Sequence, residues 1–295
     1  MAEPGILLVD KPSGITSHDV VARARRARGT RKVGHAGTLD PMATGLLIVG
    51  VEHATRLLTF IVGLGKTYQA TIRLGQTTTT DDADGEIDVC ASSEAVSAVS
   101  DERIRDGIAA LTGAISQVPS KVSAIKVDGR RAYDRVRAGE DIELAAREVT
   151  VSRFEIVSVR RDADHIDVDV EVDCSSGTYI RALARDLGSA LGTGGHLTRL
   201  RRTHIGDFGV EGSFAADELE RAALIAPADA AARVLGALRV DDGTARDLRH
   251  GKRVAAPERF DGPRAAIDPR GELIGVVERR GSVMKSTMNM PQADR

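Results

Sequence analysis

The chain has 295 residues, 42% of them hydrophobic and only 3% aromatic, with no tryptophan and a formal net charge of −2. That is enough apolar material for a full core and for more than one domain. Cys90 and Cys174 are the only cysteines and lie far apart, which excludes a disulfide framework and a metal-spaced cysteine pair and fits a reducing compartment. No run approaches the ~18 apolar residues of a membrane span, and MAEPGILLVDKPSG does not read as a signal peptide. A soluble, cytoplasmic protein is expected.

In chain order, Gly5 to Val9 reads as a short strand. Thr16 or Ser17 can cap a helix from about His18 to Arg28, closed by Gly29. Its apolar stripe is Val20, Val21, Ala24 and Ala27, with the arginines outside. Gly45 to Val51 reads as a buried strand. From Lys66 to Leu74, Tyr68, Ala70, Ile72 and Leu74 share one face of a strand. Gly75 to Gly85 reads as a polar loop, Glu102 to Leu111 as a helix, and Ser116 to Asp128 as extended. Val149 to Val159 and Ile166 to Cys174 alternate cleanly, with Asp167, Asp169, Glu171 and Asp173 facing water. A turn then leads into a helix from about Thr178 to Leu191. Glu218 to Leu235 reads as a helical connector, and short strands run from about Leu238 to Val283. The fold class expected is α+β, with a mixed, mainly antiparallel sheet and flanking helices. The domains expected are 1–235 and 236–283, followed by a frayed tail over 284–295.

Charge is segregated. Arg23, Arg25, Arg26, Arg28, Arg31 and Lys32 occur without an acid among them; Lys121, Lys126, Arg130, Arg131, Arg135 and Arg137 form a second group. His196, Arg199, Arg201, Arg202 and His204 form a third. Such clusters suit either a solvated face or a polyanion partner, and three of them favour the polyanion. Other motifs fail. Gly65-Lys66-Thr67 lacks the first glycine of a phosphate loop, which would fall on Phe60. Asp82-Ala83-Asp84-Gly85 lacks the first and last ligands of a calcium loop. No metal site is expected.

The segment Gly34-His35-Ala36-Gly37-Thr38-Leu39-Asp40-Pro41 places one carboxylate in a turn next to an apolar strand. Pro41 biases Asp40 toward an extended conformation. By spacing alone, Asp40 could simply end a loop.

Four ordered segments change that reading: Leu8-Val9-Asp10-Lys11-Pro12-Ser13-Gly14-Ile15-Thr16-Ser17, the Gly34 to Pro41 turn, Lys66-Thr67-Tyr68, and Cys174-Ser175-Ser176-Gly177-Thr178-Tyr179-Ile180-Arg181. Val118 to Lys126 and Leu200-Arg201-Arg202 fit as well. In this set the sequence resembles the TruB family of tRNA pseudouridine synthases. The resemblance implies isomerisation of uridine at position 55 of the T loop, without a cofactor. It implies a pseudouridine synthase core carrying an RNA-gripping loop at about 118–148 and a short C-terminal PUA-like domain.

By the same resemblance, Asp40 is the catalytic carboxylate, acting either as nucleophile or as a base on the ribose C2′. Arg181 pairs with it, which favours the charged form. Tyr68 stacks on the flipped base and removes the C5 proton. His35, Tyr179 and Leu200 contact substrate; Lys11 and Pro12 support the catalytic loop. Lys121, Lys126, Arg130, Arg131 and Arg202 are expected to grip RNA. The expected partner is the T-arm stem-loop of tRNA, bound through its shape, and a monomer is expected. A non-catalytic tRNA-binding factor would need the basic face but not Asp40; a synthase acting on another RNA would differ only in partner.

Overall fold

The computed structural model describes residues 2–120, 144–257 and 260–291, together with the backbone of 126–127 and 130–131. Strand β1 (Gly5–Lys11) is followed by helix α1 (Ser17–Arg28). Thr16 and Asp19 form a capping box, and Gly29 ends the helix in the left-handed conformation. Strands β2 (Val33–Ala36) and β3 (Thr44–Val51) pair antiparallel, and a 3₁₀ segment with the short helix α2 (Leu58–Ile61) leads to β4 (Lys66–Leu74). The region expected as a polar loop after β4 contains β5 (Gln76–Thr78), which pairs with β6 (Ile87–Cys90) in a two-stranded ribbon. Helices α3 (Ser93–Ser97) and α4 (Asp101–Ala110), each capped by a serine, precede β7 (Gly113–Gln117). The expected RNA-gripping loop lies largely outside the described residues. Its backbone is described only at β8 (Lys126–Val127) and β9 (Arg130–Arg131), which pair antiparallel.

The long strands β10 (Arg147–Arg161) and β11 (Ile166–Cys174) complete one side of the main sheet. Helix α5 (Ile180–Leu191) then packs on β12 (Gly195–Ile205), which continues into β13 (Phe208–Gly209) and β14 (Phe214–Ala215). The sheet runs β14-β1-β3-β12-β4-β11-β10-β7, with β2 and β13 attached to β3 and β12. Among the described strands of this sheet, the β1–β14 and β3–β12 pairs are parallel and the other pairs antiparallel. The alternation in β11 is real: Ile166, Val168, Val170, Val172 and Cys174 are buried beneath α4 and α5. Its acids do not simply face water. Arg73 forks onto Asp167 at 2.8 Å, Arg153 reaches Asp173 at 2.7 Å, and Thr71 donates to Asp169 at 2.6 Å. These cross-strand pairs stitch β4, β10 and β11 on the polar face.

The helix expected over 218–235 forms only as α6 (Pro227–Leu235), where Pro227 suits the first turn. Upstream, Leu219 and Ala222 are buried and Ile225 bridges to Ile6. Strand β15 (Ala237–Arg239), helix α7 (Asp242–Arg249), β16 (Val254–Ala255), β17 (Arg264–Ile267), β18 (Leu273–Arg280) and β19 (Val283–Asn289) complete the chain. Their five strands form a second sheet ordered β15-β17-β18-β19-β16. The expectation of a frayed tail from 284 is therefore wrong up to Asn289. That segment pairs with β18, and Met284 is buried against Leu248 and Val277. The two sheets share one apolar core in which Ile6, Leu8, Leu46 and Ile48 meet Ala228, Ala231, Ala265 and Ile267.

Candidate active site

The centre of the main sheet brings four separate segments to one place. Arg202 on β12 lies opposite Tyr68 on β4 and Gly45 on β3. Gly45 has φ of 99°, and a Cβ there would sit 2.2 Å from the Arg202 carbonyl oxygen, so only glycine permits β3 and β12 to approach this closely. Just before β3, the 37–43 loop carries Asp40.

Backbone contacts hold that loop from both sides. Lys11, fully buried, donates its ammonium to the carbonyls of Pro12 at 2.9 Å, Ile15 at 2.8 Å and Pro41 at 3.2 Å. Ser17 Oγ both donates to the Leu39 carbonyl and accepts from its N–H. From the opposite side, Arg202 donates Nε to Leu46 O at 2.8 Å and Nη2 to Gly37 O at 2.9 Å. Arg202 is 1% exposed. The expectation that it grips RNA is thus corrected: its guanidinium is spent on the loop. We expect Arg202→Met to cost about 3 kcal/mol or more, because buried carbonyls lose a charged donor. A thermal midpoint equal to that of the wild type would contradict this.

The remaining members of the third basic cluster also separate, because β12 buries some of its residues and leaves others outside. His196 is buried on the Gln76 carbonyl at 3.0 Å, and Arg201 forks onto Asp10 at 3.0 and 2.7 Å. Only Arg199 is well exposed.

Asp40, with its side chain 35% exposed, meets Arg181 across the site: Arg181 Nε lies 3.0 Å from Asp40 Oδ2. Arg181 stands in the first turn of α5 and is buried, only 4% exposed. The same Nε lies 3.4 Å from Asp82 Oδ2, and Nη1 donates to the Thr80 carbonyl at 2.8 Å. Asp82 is buried in the turn between β5 and β6, where its Oδ1 accepts from the Asp84 N–H at 3.1 Å. One guanidinium thus bridges two carboxylates, one open to the cleft and one enclosed. Sequence reasoning missed Asp82. The acid run 81–88 was visible, but nothing in the spacing joined it to an arginine about a hundred residues later.

Asp40, Tyr68, Tyr179, Arg181, Leu200 and Arg202 line a single cleft of about 290 Å³ together with Val62 and Lys66. That is at the small end of ligand pockets (~300–1,000 Å³) and suits one nucleoside. Tyr68 is buried, and loss of solvent pushes its phenol above the ordinary value, with the Arg202 guanidinium offsetting part of the rise. Lys66 donates to the carbonyls of Val62 at 2.7 Å and Leu64 at 2.6 Å, and burial lowers its pKa to about 8. Ser176 Oγ also donates to Val62 O at 2.7 Å, which ties the two walls of the cleft.

His35 is not among the residues lining this cleft, and it lies in β2 rather than in a turn. Its ring meets His18 edge-on at 5.5 Å, and burial lowers its pKa. Pro12 is exposed beside the loop. Lys121 and the side chains of Lys126, Arg130 and Arg131 fall outside the described residues. Among the described residues, no group of histidine, cysteine or carboxylate side chains could hold a metal ion, and no helix is long and apolar enough to cross a membrane.

Family models together match residues 25–291. The N-terminal domain of TruB family pseudouridylate synthase covers residues 25–180. The C-terminal domain of tRNA pseudouridylate synthase B covers 181–239, and the C-terminal domain of tRNA pseudouridine synthase II covers 235–291. This chain belongs to the TruB family. Relatives in that family include tRNA pseudouridine synthase B of Leifsonia xyli subsp. xyli, 57% identical over 99% of this chain and 98% of the relative. The enzyme of the same name in Rhodococcus jostii is 56% identical over 96% and 93%. The archaeal box H/ACA sRNP Nop10–Cbf5 complex contains a chain that superposes with a TM-score of 0.66 at 25% identity, over 97% of this TruB chain and 84% of that one. A chain of an H/ACA RNP bound to a substrate RNA shares the fold at 24% identity and a TM-score of 0.71, over 98% and 85%.

Proposed function

We propose that this protein isomerises uridine to pseudouridine in tRNA, at position 55 of the T loop, with Asp40 as the catalytic carboxylate. The observation that carries the reading is the open Asp40 carboxylate at 3.0 Å from a buried arginine, in a cleft sized for one nucleoside. The target uridine leaves its stack, at a cost of a few kcal/mol, and enters beside Tyr68. Asp40 then either attacks the ribose carbon or removes the C2′ proton, and the glycosidic bond to N1 breaks. The freed uracil turns and joins the same carbon through C5, and loss of the C5 proton completes the isomerisation. No atom is gained or lost overall, so by either route the reaction needs no co-reactant.

Tyr68 serves as the platform for the base, with Leu200 and Tyr179 as further walls. Its phenol is held protonated by burial, so it accepts the C5 proton only as its own proton moves on. Tyr68→Phe keeps the ring and removes the oxygen. It is expected to slow turnover by ~10²–10⁴-fold, the usual range for a lost proton-transfer group, with tRNA affinity retained. An unchanged rate would leave Tyr68 as a platform only. His35 is proposed to contact the RNA loop from beside the cleft, while Lys11 and Pro12 support the loop that carries Asp40.

The test of the function is release of tritium from C5-labelled uridine in a tRNA transcript, since substrate and product have equal mass. Release from the natural transcript but not from one with cytidine at position 55 is expected. No release from either would remove the enzyme reading, and release from both would remove the assignment of position 55.

A further inference from the structure

Among the described residues three cations line the cleft, and two of them are already answered. Arg181 lies between the carboxylates of Asp40 and Asp82, and Arg202 donates to the carbonyls of Leu46 and Gly37. Lys66, the first residue of β4, forms no ion pair with a carboxylate among the described residues. Its acceptors there are the Val62 and Leu64 carbonyls, which take two of the three ammonium N–H groups and leave one without a partner. Lys66 is buried on the same face of β4 as Tyr68, two residues on. A Cβ built at Gly37 would lie 3.9 Å from Lys66 Cε, so the side chain reaches the loop that carries Asp40. Ser176 shares the Val62 carbonyl, and the walls of the cleft thereby fix where the ammonium stands.

We propose that Lys66 is a further catalytic residue, whose free N–H faces the departing uracil and whose charge holds that base as an anion; this rests on the isomerase reading above. By either route open to Asp40, the N1 bond breaks with its electron pair on the base. Asp40 takes the balancing change, as an ester or as a carboxylic acid. The charge on uracil is spent when C5 joins the ribose carbon, and no proton passes to or from Lys66. A cation fixed in advance supports such a charge better than water, which must first reorient. Arg181 is the weaker support, because Asp82 still neutralises it once Asp40 has reacted.

The charge on Lys66 can be read by pH. Burial, and next the Arg202 guanidinium on β12, lower its pKa to about 8. The other ionisable groups around it are the Cys174 thiol on β11, which burial pushes up to about 11, the Tyr68 phenol on β4 and Asp40 in the 37–43 loop. The turns at 62–65 and 175–178 bring none. The ammonium is thus present below about pH 8 and lost above it, so single-turnover tritium release should fall as pH rises through that value. Lys66→Arg, whose guanidinium stays charged, should remove the fall.

Lys66→Met should lower kcat by about 10²–10³-fold with KM kept within about threefold. Since methionine also frees two turn carbonyls, a tRNA with 5-fluorouridine at the target position separates chemistry from structure. Fluorine withdraws electrons from the ring and helps it carry the charge, so single-turnover consumption of that nucleoside should drop only about 10-fold in the methionine variant. Equal losses on the two substrates overturn the proposal, as does wild-type release that stays level across this pH range. A methionine variant that fails to fold leaves the decision to the pH profiles of the wild type and Lys66→Arg. No release by the wild type at any pH would instead remove the isomerase reading, and this proposal with it.

Discussion

Asp40→Asn is expected to lower tritium release from tRNA by about 10⁴-fold or more, with the dissociation constant for tRNA within about threefold of wild type. The amide has the shape of the carboxylate but can neither attack the ribose carbon nor take its C2′ proton. The surroundings have no reason to collapse. Arg181 retains Asp82 at 3.4 Å and the Thr80 carbonyl at 2.8 Å, and the loop is still held by Lys11, Ser17 and Arg202. Turnover near the wild-type rate would remove Asp40 from the chemistry. Loss of tRNA binding in step with activity would assign the carboxylate to recognition instead.

Arg181→Lys should cost about 10²–10³-fold in turnover, although the charge is kept. The native guanidinium engages Asp40 and Asp82 through Nε and the Thr80 carbonyl through Nη1, from one planar group. An ammonium is a single point and must choose among these acceptors. Arg181→Met is the harsher change. It leaves two carboxylates facing each other with no cation between them, and breaking a buried pair in this way costs about 3–5 kcal/mol. The lysine variant should therefore fold and fail in rate, whereas the methionine variant should also lose several degrees in its thermal midpoint. Near-normal rates for the lysine variant would show that charge alone suffices. A double-mutant cycle with Asp82→Asn separates the two partners, and a coupling energy of zero would leave Asp82 as a bystander.

Much of the frame was legible because local pattern and tertiary role agreed. The alternation in β11 needed a half-buried strand, and the Thr16–Asp19 box with Gly29 bounded α1 at both ends. The Gly34 to Pro41 turn carried Asp40 to the cleft beside Tyr68 and Arg181, as its resemblance to the TruB family implied. What failed depended on partners distant in sequence. Arg202 read as part of a basic cluster, because its burial on β12 comes from the carbonyls of Gly37 and Leu46 on distant segments. Asp82 read as one acid in a polar run, because its meaning comes from Arg181 on another element. The strand β19 has few strong apolar residues, and it is the hydrogen-bonding edge offered by β18 that makes it a strand.

The apolar seam joining the two sheets has a consequence for shortened genes. A product ending at Leu235 would strip Ala265, Ile267 and Leu273 from the apolar cluster they share with Ala228, Ala231 and Ile6, baring the face of α6 that packs on β17. Such a fragment would display an oily flank to water and should precipitate, even though every residue around Asp40 were still encoded. Nature could vary the far end of this polypeptide, but could not trim it away.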